Sequence, residues 1–199
     1  MKYLLFIPLL SLVLGSSAFS SVESGEAAPE FNLKDSKGNF QKLSTYAGKF
    51  IVLEWMNPEC PFIKKHYSGG NMQSLQKEYT GKGVIWLSII SSAPGKQGYC
   101  TAPQAEANRK DQNASPTAVL LDPSGEVGQK YGAKTTPHIF IINPEGKVIY
   151  AGAIDSIRSA NPADCSKADN YVRETLDAAM AGKPVPHPST QPYGCGVKY

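Results

Sequence analysis

The chain lacks the features that identify several large classes of protein. Its 199 residues carry a formal net charge of only +3, and no basic stripe with interleaved aromatic side chains stands out. Binding of nucleic acid is therefore not expected. Internal repeats, low-complexity blocks and apolar runs of membrane-spanning length are also absent, so we expect neither a repeat architecture nor a transmembrane helix. With 41% hydrophobic and 19% charged residues, the composition favours one globular α/β domain.

Cysteine and histidine are scarce, and neither occurs at a metal-binding spacing. The chain has four cysteines and three histidines, with no C-x-x-C pair and no H-x-x-x-H pair. No metal ion and no other cofactor is therefore expected. The cysteines are Cys60, Cys100, Cys165 and Cys195, and spacing alone leaves three complete pairings open.

The first 20 residues have the pattern of a secretory signal peptide rather than of a folded element. Lys2 precedes a short apolar run over residues 3–14, and small residues follow up to a cleavage site near Ser20. An uncleaved N-terminal anchor is the alternative. Export predicts a secreted or periplasmic protein with no membrane attachment after cleavage, and it places the cysteines in an oxidising compartment.

Residues 21–183 alternate between strand-like and helix-like patterns, which predicts an α/β sandwich. A β-hairpin is expected over residues 31–43, and the tail of residues 184–199 contains four prolines and should be extended. Strands are expected at 49–56, 84–90, 118–121, 137–142 and 147–152. Helices are expected to begin near residues 61, 71, 103, 126 and 167, with Asn71 as the cap of the second.

Cys60 has the setting of a reactive thiol. It follows a buried strand and immediately precedes Pro61, which suits the first position of a helix. A helix N-terminus lowers the pKa of a thiol, and Lys64 and Lys65 are expected to add positive potential near the sulfur. The alternative is a buried structural cysteine or half of a static disulfide.

These residues, together with Thr136 and Pro137 opening a later strand, resemble the thioredoxin-like fold. Within that fold the chain is similar to the peroxiredoxin-like proteins of the alkyl hydroperoxide reductase/thiol-specific antioxidant group, over roughly residues 28–181. The resemblance implies a three-layer sandwich with Cys60 as the attacking nucleophile. It also implies an exported thiol-dependent oxidoreductase that acts on protein thiols and disulfides, or weakly on small hydroperoxides, with an external reductant that the sequence does not identify.

The same resemblance gives roles to further residues and also shows two departures. Glu54 matches a buried acid that shuttles protons, although a structural Glu–Lys pair is equally compatible with the residues. Thr136 and Pro137, a cis-proline in the family, contact the substrate together with Pro61 and Asn57. Ile63 replaces the second cysteine of a dithiol site. Asn57 replaces the peroxide-binding threonine, and the family's nearby arginine is absent.

The four cysteines differ in their predicted surroundings. Cys100 and Cys165 each precede a helix in a loop, which favours a structural disulfide between them. Cys195 lies between two glycines on a tail that could cross the body, so it is the candidate resolving partner of Cys60. The rival interpretation is a permanently docked tail in which Cys195 is merely buried.

A non-catalytic role is the alternative function. The chain could be a thioredoxin-like binding module for partner proteins. It could also be a copper carrier, because Met56, Cys60, His66 and His138 supply the sulfur and imidazole groups that suit copper.

Overall fold

The computed structural model describes residues 21–199, so the predicted signal peptide lies outside the described residues. Across residues 21–199, no helix is long and apolar enough to span a bilayer. The strands are β1 Asn32–Asp35, β2 Phe40–Lys42, β3 Ile51–Trp55, β4 Ile85–Ile90, β5 Ala118–Leu121, β6 Thr135–Thr136, β7 His138–Ile142, β8 Val148–Gly152 and β9 Cys195–Gly196. The helices are α1 Pro61–Ser68, α2 Asn71–Gly81, α3 Ala102–Asp111, α4 Glu126–Tyr131 and α5 Tyr171–Met180.

A seven-stranded mixed sheet forms the middle layer, in the order β2-β1-β5-β4-β3-β7-β8. β3 lies near its centre, parallel to β4 and antiparallel to β7. All five residues of β3 are buried, because the strand has apolar cores on both faces. One core contains side chains of α1, α2, α3 and α5, and the other contains side chains of α4 and the N-terminal segment. The predicted three-layer α/β sandwich is therefore confirmed.

Most predicted elements are present, with two local differences. The hairpin over residues 31–43 forms as β1 and β2. The last helix begins at Tyr171 rather than near Lys167, because the Asn170 side chain accepts a hydrogen bond from Arg173 N–H and caps the helix there. Gly70, with a φ of 72°, precedes α2, and Asn71 is its first residue rather than its cap.

The tail of residues 184–199 docks along the body of the domain. Thr190 N–H donates to the Ala151 carbonyl at 3.1 Å, and Ala93 N–H donates to the Lys198 carbonyl at 2.8 Å. Between these points β9 pairs antiparallel with β6, so that Cys195 lies opposite Thr136. The sequence pattern did not predict this two-stranded sheet, because each strand has only two residues.

Candidate active site

Cys60 is the residue at the start of α1, directly beyond the buried strand β3. Its backbone is extended, with φ and ψ of −69° and 126°, and Pro61 occupies the first helical turn. A tight turn leads into this position, because Cys60 N–H donates to the Asn57 carbonyl at 3.0 Å. The thiol is 0% exposed. The strand, turn and proline thus fix one sulfur at the helix N-terminus, as the sequence predicts.

The Cys60 sulfur contacts two groups from distant parts of the chain. It lies 3.0 Å from the Thr136 carbonyl oxygen and 2.9 Å from the Cys195 sulfur. An S–S bond is about 2.04 Å long, so the two groups are thiols in contact, and both are free. The structure therefore brings together Cys60 and Cys195, the pair predicted as nucleophile and resolving partner.

Among the four thiols, only Cys60 has a lowered pKa. Burial alone would raise the pKa, but the hydrogen bond from Cys195 and the backbone N–H of Ile63 stabilise the thiolate more strongly. Burial and the neighbouring Cys60 raise the pKa of Cys195, and burial raises those of Cys100 and Cys165. Cys60 is thus the thiol that ionises first, and Cys195 then donates to its thiolate.

The backbone around Thr136 contacts both cysteines of the pair. The Thr136–Pro137 peptide bond is cis, as the resemblance implies. Gly194, with a φ of 142°, passes so close that a Cβ there would collide with the Thr136 carbonyl oxygen. A glycine is therefore required beside Cys195 for β9 to approach β6.

Glu54 is fully buried in the core beneath α1 and α2, where it accepts hydrogen bonds from neutral donors. These donors are Tyr67 Oη at 2.8 Å, Gln76 Nε2 at 3.2 Å, Trp86 Nε1 at 2.8 Å and Ser88 Oγ at 2.9 Å. Burial raises its pKa despite them. Within residues 21–199 it has no lysine partner and no hydrogen bond to Cys60, so its predicted role as a proton shuttle stays a prediction.

Asn57 lies beside the nucleophile, but its amide group is used by neighbouring loops. Its Oδ1 accepts from Glu59 N–H at 2.9 Å, and its Nδ2 donates to the Gln97 carbonyl at 3.2 Å. Gly98 packs directly against it, where a Cβ would collide with the amide. Asn57 therefore fixes the turn before Cys60, and the structure shows no contact from its amide to the sulfur.

Cys100 and Cys165 are held in separate surroundings. The Cys100 sulfur contacts the Gly98 carbonyl at 3.5 Å and Asn108 Nδ2 at 3.4 Å. The Cys165 sulfur instead contacts the Lys65 carbonyl and His66 Nδ1, each at 3.8 Å. Both thiols are free, and they contact different groups. The structural disulfide expected between them stays a prediction.

The expectation for Lys65 was wrong. Its side chain is 0% exposed, and its Nζ donates to Asp155 Oδ2 at 2.8 Å and to the Ile157 carbonyl at 2.7 Å. The ammonium group also lies 3.0 Å from Tyr193 Oη. Lys65 therefore neutralises a buried carboxylate, and its charge is not directed at the Cys60 sulfur. We call Lys65, Asp155 and Tyr193 the buried triad.

The donor set proposed for copper is not assembled. Among the described residues, the three groups close enough to share a metal ion are His66, Asp155 and Cys165, within 4.8 Å of one another. The Lys65 ammonium group already sits at Asp155, where a cation would bind. His138 is buried elsewhere, with its ring centroid 4.4 Å from that of Phe140, and burial lowers its pKa to about 3. His138 is therefore a neutral core histidine.

Comparison with known proteins places the chain in a family. Residues 24–151 match the model of the AhpC/TSA family, so the chain belongs to that family. A stretch of 129 residues is 30% identical to the thiol-disulfide oxidoreductase ResA of Bacillus subtilis, covering 65% of this chain and 66% of that protein, just under two thirds of its length.

Solved structures confirm the thioredoxin-like fold. An uncharacterized conserved protein from Geobacillus kaustophilus superposes with a TM-score of 0.76 at 26% identity, covering 96% of this chain and 98% of its own. A protein from Chlorobium tepidum described as a thiol:disulfide interchange protein, DsbE, gives a TM-score of 0.54 at 26% identity, over 66% of this chain and 85% of its own. The whole-chain match to the first protein shows that the fold extends beyond the family segment.

Proposed function

We propose that this member of the AhpC/TSA family is a thiol-disulfide oxidoreductase with Cys60 as nucleophile and Cys195 as resolving thiol. The observation that carries the proposal is the contact of the two sulfurs, 2.9 Å apart, at the N-terminus of α1. The similarity to ResA supports the same class of reaction. Substrates are then disulfides of other proteins, with the protein thiols as products.

The first step is thiol-disulfide exchange at Cys60. The Cys60 thiolate attacks one sulfur of the substrate disulfide, and the other substrate sulfur leaves as a thiolate that takes up a proton. The product is a mixed disulfide between Cys60 and the substrate. The lowered pKa of Cys60 supplies the thiolate, and the helix N-terminus stabilises its charge.

The second step resolves the mixed disulfide. Cys195 loses its proton and attacks the Cys60 sulfur, which releases the second substrate thiol and leaves a Cys60–Cys195 disulfide. Two electrons have then passed to the substrate, and an external dithiol must restore the protein. Run in reverse, the same steps oxidise a substrate dithiol.

A substrate can reach Cys60 only when the tail moves. The thiol is 0% exposed, and Cys195 covers it from β9. The tail segment that carries Cys195 must therefore move away from Cys60 before the first step and return to it for the second. Local opening of this kind has a lower free-energy cost than global unfolding.

Disulfide exchange fits the site better than peroxide reduction. Peroxide reduction would convert the Cys60 thiolate and a hydroperoxide into a sulfenic acid and an alcohol, and condensation with Cys195 would release water. None of the described side-chain contacts of Cys60 involves an arginine, and Asn57 is bound to loop backbone. We therefore propose peroxide turnover only as a slow side reaction.

The proposed setting is an oxidising compartment outside the cytoplasm. The apolar pattern of residues 1–20 supports export, and a thiol-disulfide oxidoreductase has disulfide substrates there. Export can be checked by comparing the N-terminal residue of the mature protein with the cleavage site expected near Ser20.

The test is a pair of assays on the full chain, one for reduction of a model protein disulfide and one for peroxide consumption. Cys60→Ser should abolish disulfide reduction, whereas the matched control Cys165→Ser should keep it within about twofold, since Cys165 lies outside the site. Peroxide consumption as fast as that of a true peroxidase would overturn the assignment. If neither rate depends on Cys60, the chain is a binding module.

A further inference from the structure

The tail that carries Cys195 is anchored by the buried triad. Tyr193 lies two residues before Cys195 and is 2% exposed. Its hydroxyl donates to Asp155 Oδ1, and the same carboxylate receives Lys65 Nζ. The buried Lys65–Asp155 ion pair of the domain thus also forms a hydrogen bond with a side chain of the tail.

The aromatic ring of Tyr193 also packs against α1. It packs edge-on against Phe62, with ring centroids 5.8 Å apart, and the Lys65 ammonium group lies 5.3 Å from its centroid. Phe62 and Lys65 both belong to α1, the helix that begins at Cys60. One short helix therefore positions the nucleophile at its N-terminus and holds the tail on its side.

Three consecutive tail residues together place the Cys195 sulfur beside Cys60. Tyr193 is anchored on the triad, Gly194 lets the backbone pass Thr136, and Cys195 meets Cys60. The Tyr193 ring packs on Phe62 and the Cys195 sulfur meets Cys60, so both tail side chains contact residues at the N-terminal end of α1.

We infer that Tyr193, held by the Lys65–Asp155 ion pair, is a positioning residue that keeps Cys195 over Cys60 and controls access to the nucleophile. This inference rests on the proposed function for its purpose, but the placement itself does not need a substrate. With the hydroxyl bonded, the tail covers Cys60. With the bond broken, the segment around Cys195 loses its anchor on α1 while the other tail contacts remain, so Cys60 is exposed more often and Cys195 is held near it less of the time.

Tyr193→Phe tests the inference, because it keeps the ring and removes only the hydroxyl. Tyr79→Phe is the matched control, since Tyr79 is buried and its hydroxyl donates to the Asp177 carboxylate at 2.8 Å without touching the tail. In the reduced protein, Tyr193→Phe should raise the alkylation rate of Cys60 by about tenfold or more, because a hydrogen bond to a charged group is lost. Peptide mapping assigns the alkylated cysteine.

Incubation with a glutathione redox buffer gives a second readout. Tyr193→Phe should leave a larger share of Cys60 as the glutathione mixed disulfide, since Cys195 is held near it less of the time. The Tyr79→Phe control should change neither readout, even where it lowers the free energy of unfolding. Unchanged alkylation in Tyr193→Phe, or an equal rise in both variants, would overturn the inference. Neither readout uses a substrate, so loss of the proposed activity would be a separate result.

Discussion

The pair Cys60 and Cys195 differs from the pair Cys100 and Cys165 in the contacts of the sulfurs and in the pKa values of the thiols. Cys60 and Cys195 are 135 residues apart in sequence, yet their sulfurs lie 2.9 Å apart at a helix N-terminus. Cys100 and Cys165 lie closer in sequence, but each is held by its own neighbours. The first pair contains the thiol whose pKa is lowered, and both thiols of the second pair have raised pKa values. The difference shows that backbone pairing and helix position bring the sulfurs of Cys60 and Cys195 together, and that cysteine spacing does not.

The largest expected effect comes from removing the second thiol of the reactive pair. Cys195→Ser should trap Cys60 as a mixed disulfide with a substrate protein, because no internal thiol remains to resolve it. Gel electrophoresis without reductant should show a covalent adduct that disappears on reduction. Cys100→Ser and Cys165→Ser should trap nothing. A Cys195→Ser protein that turns over substrate at the natural rate would remove Cys195 from the mechanism.

The next effect concerns the glycines that flank Cys195. Gly194→Ala should displace β9, because the added Cβ would collide with the Thr136 carbonyl and the φ of 142° is strained for alanine. Formation of the Cys60–Cys195 disulfide should slow by about tenfold or more. Gly196→Ala is the control, since a Cβ there meets nothing within 4 Å. Equal rates in the two variants would show that the approach of β9 to β6 does not depend on Gly194.

A smaller effect is expected on the pKa of the nucleophile. Cys195→Ala should raise the pKa of Cys60, because the thiolate loses a hydrogen bond. Cys195→Ser keeps a donor and should raise the pKa less. Ultraviolet absorbance of the thiolate during a pH titration measures both shifts. If neither variant shifts the pKa of Cys60, the Cys195 hydrogen bond does not stabilise the thiolate.

The smallest effect concerns Glu54, which has neutral donors where Asp155 has a lysine. Burial raises the pKa of Glu54 in the folded state above its ordinary value of 4.5. At pH values between 4.5 and this raised pKa, Glu54 is protonated in the folded state and ionised in the unfolded state. The free energy of unfolding should fall as the pH rises from 4.5 to the folded pKa, and it should stay flat above it. Each unit by which the folded pKa exceeds the unfolded pKa changes the free energy of unfolding by about 1.4 kcal/mol.

The matched variant for this titration is Glu54→Gln. It lacks the titrating group, so its stability curve, measured by denaturant unfolding at several pH values, should lose this slope. Parallel curves for the two proteins would show that Glu54 ionises in the folded state as easily as in water.

The sequence predicted the parts of the site that depend on local patterns. An apolar strand, a turn and Cys60–Pro61 encode a thiol at a helix N-terminus, and each of these signals lies within a few residues of the next. The β1–β2 hairpin and the three layers follow from the same kind of local pattern.

Apart from the contact of Cys60 with Cys195, the long-range contacts of single residues at the site were not predictable in this way. Lys65 looks like an exposed helix lysine, because nothing near it in sequence indicates that Asp155 and Tyr193 will enclose it. The pairing of β6 with β9 joins strands of two residues each, which are too short to leave a periodic pattern. The run Tyr193-Gly194-Cys195 places an aromatic residue and a glycine beside the tail cysteine, but no local pattern there indicates which residues of the body it contacts.

The central claim is that Cys60 and Cys195 form the redox pair, and a peptide map of the oxidised protein without reductant tests it directly. Proteolysis and mass spectrometry should recover one peptide that joins Cys60 to Cys195, in the natural protein and in Cys165→Ser alike. A peptide that joins Cys60 to Cys100 or to Cys165, with Cys195 left free, would contradict the account.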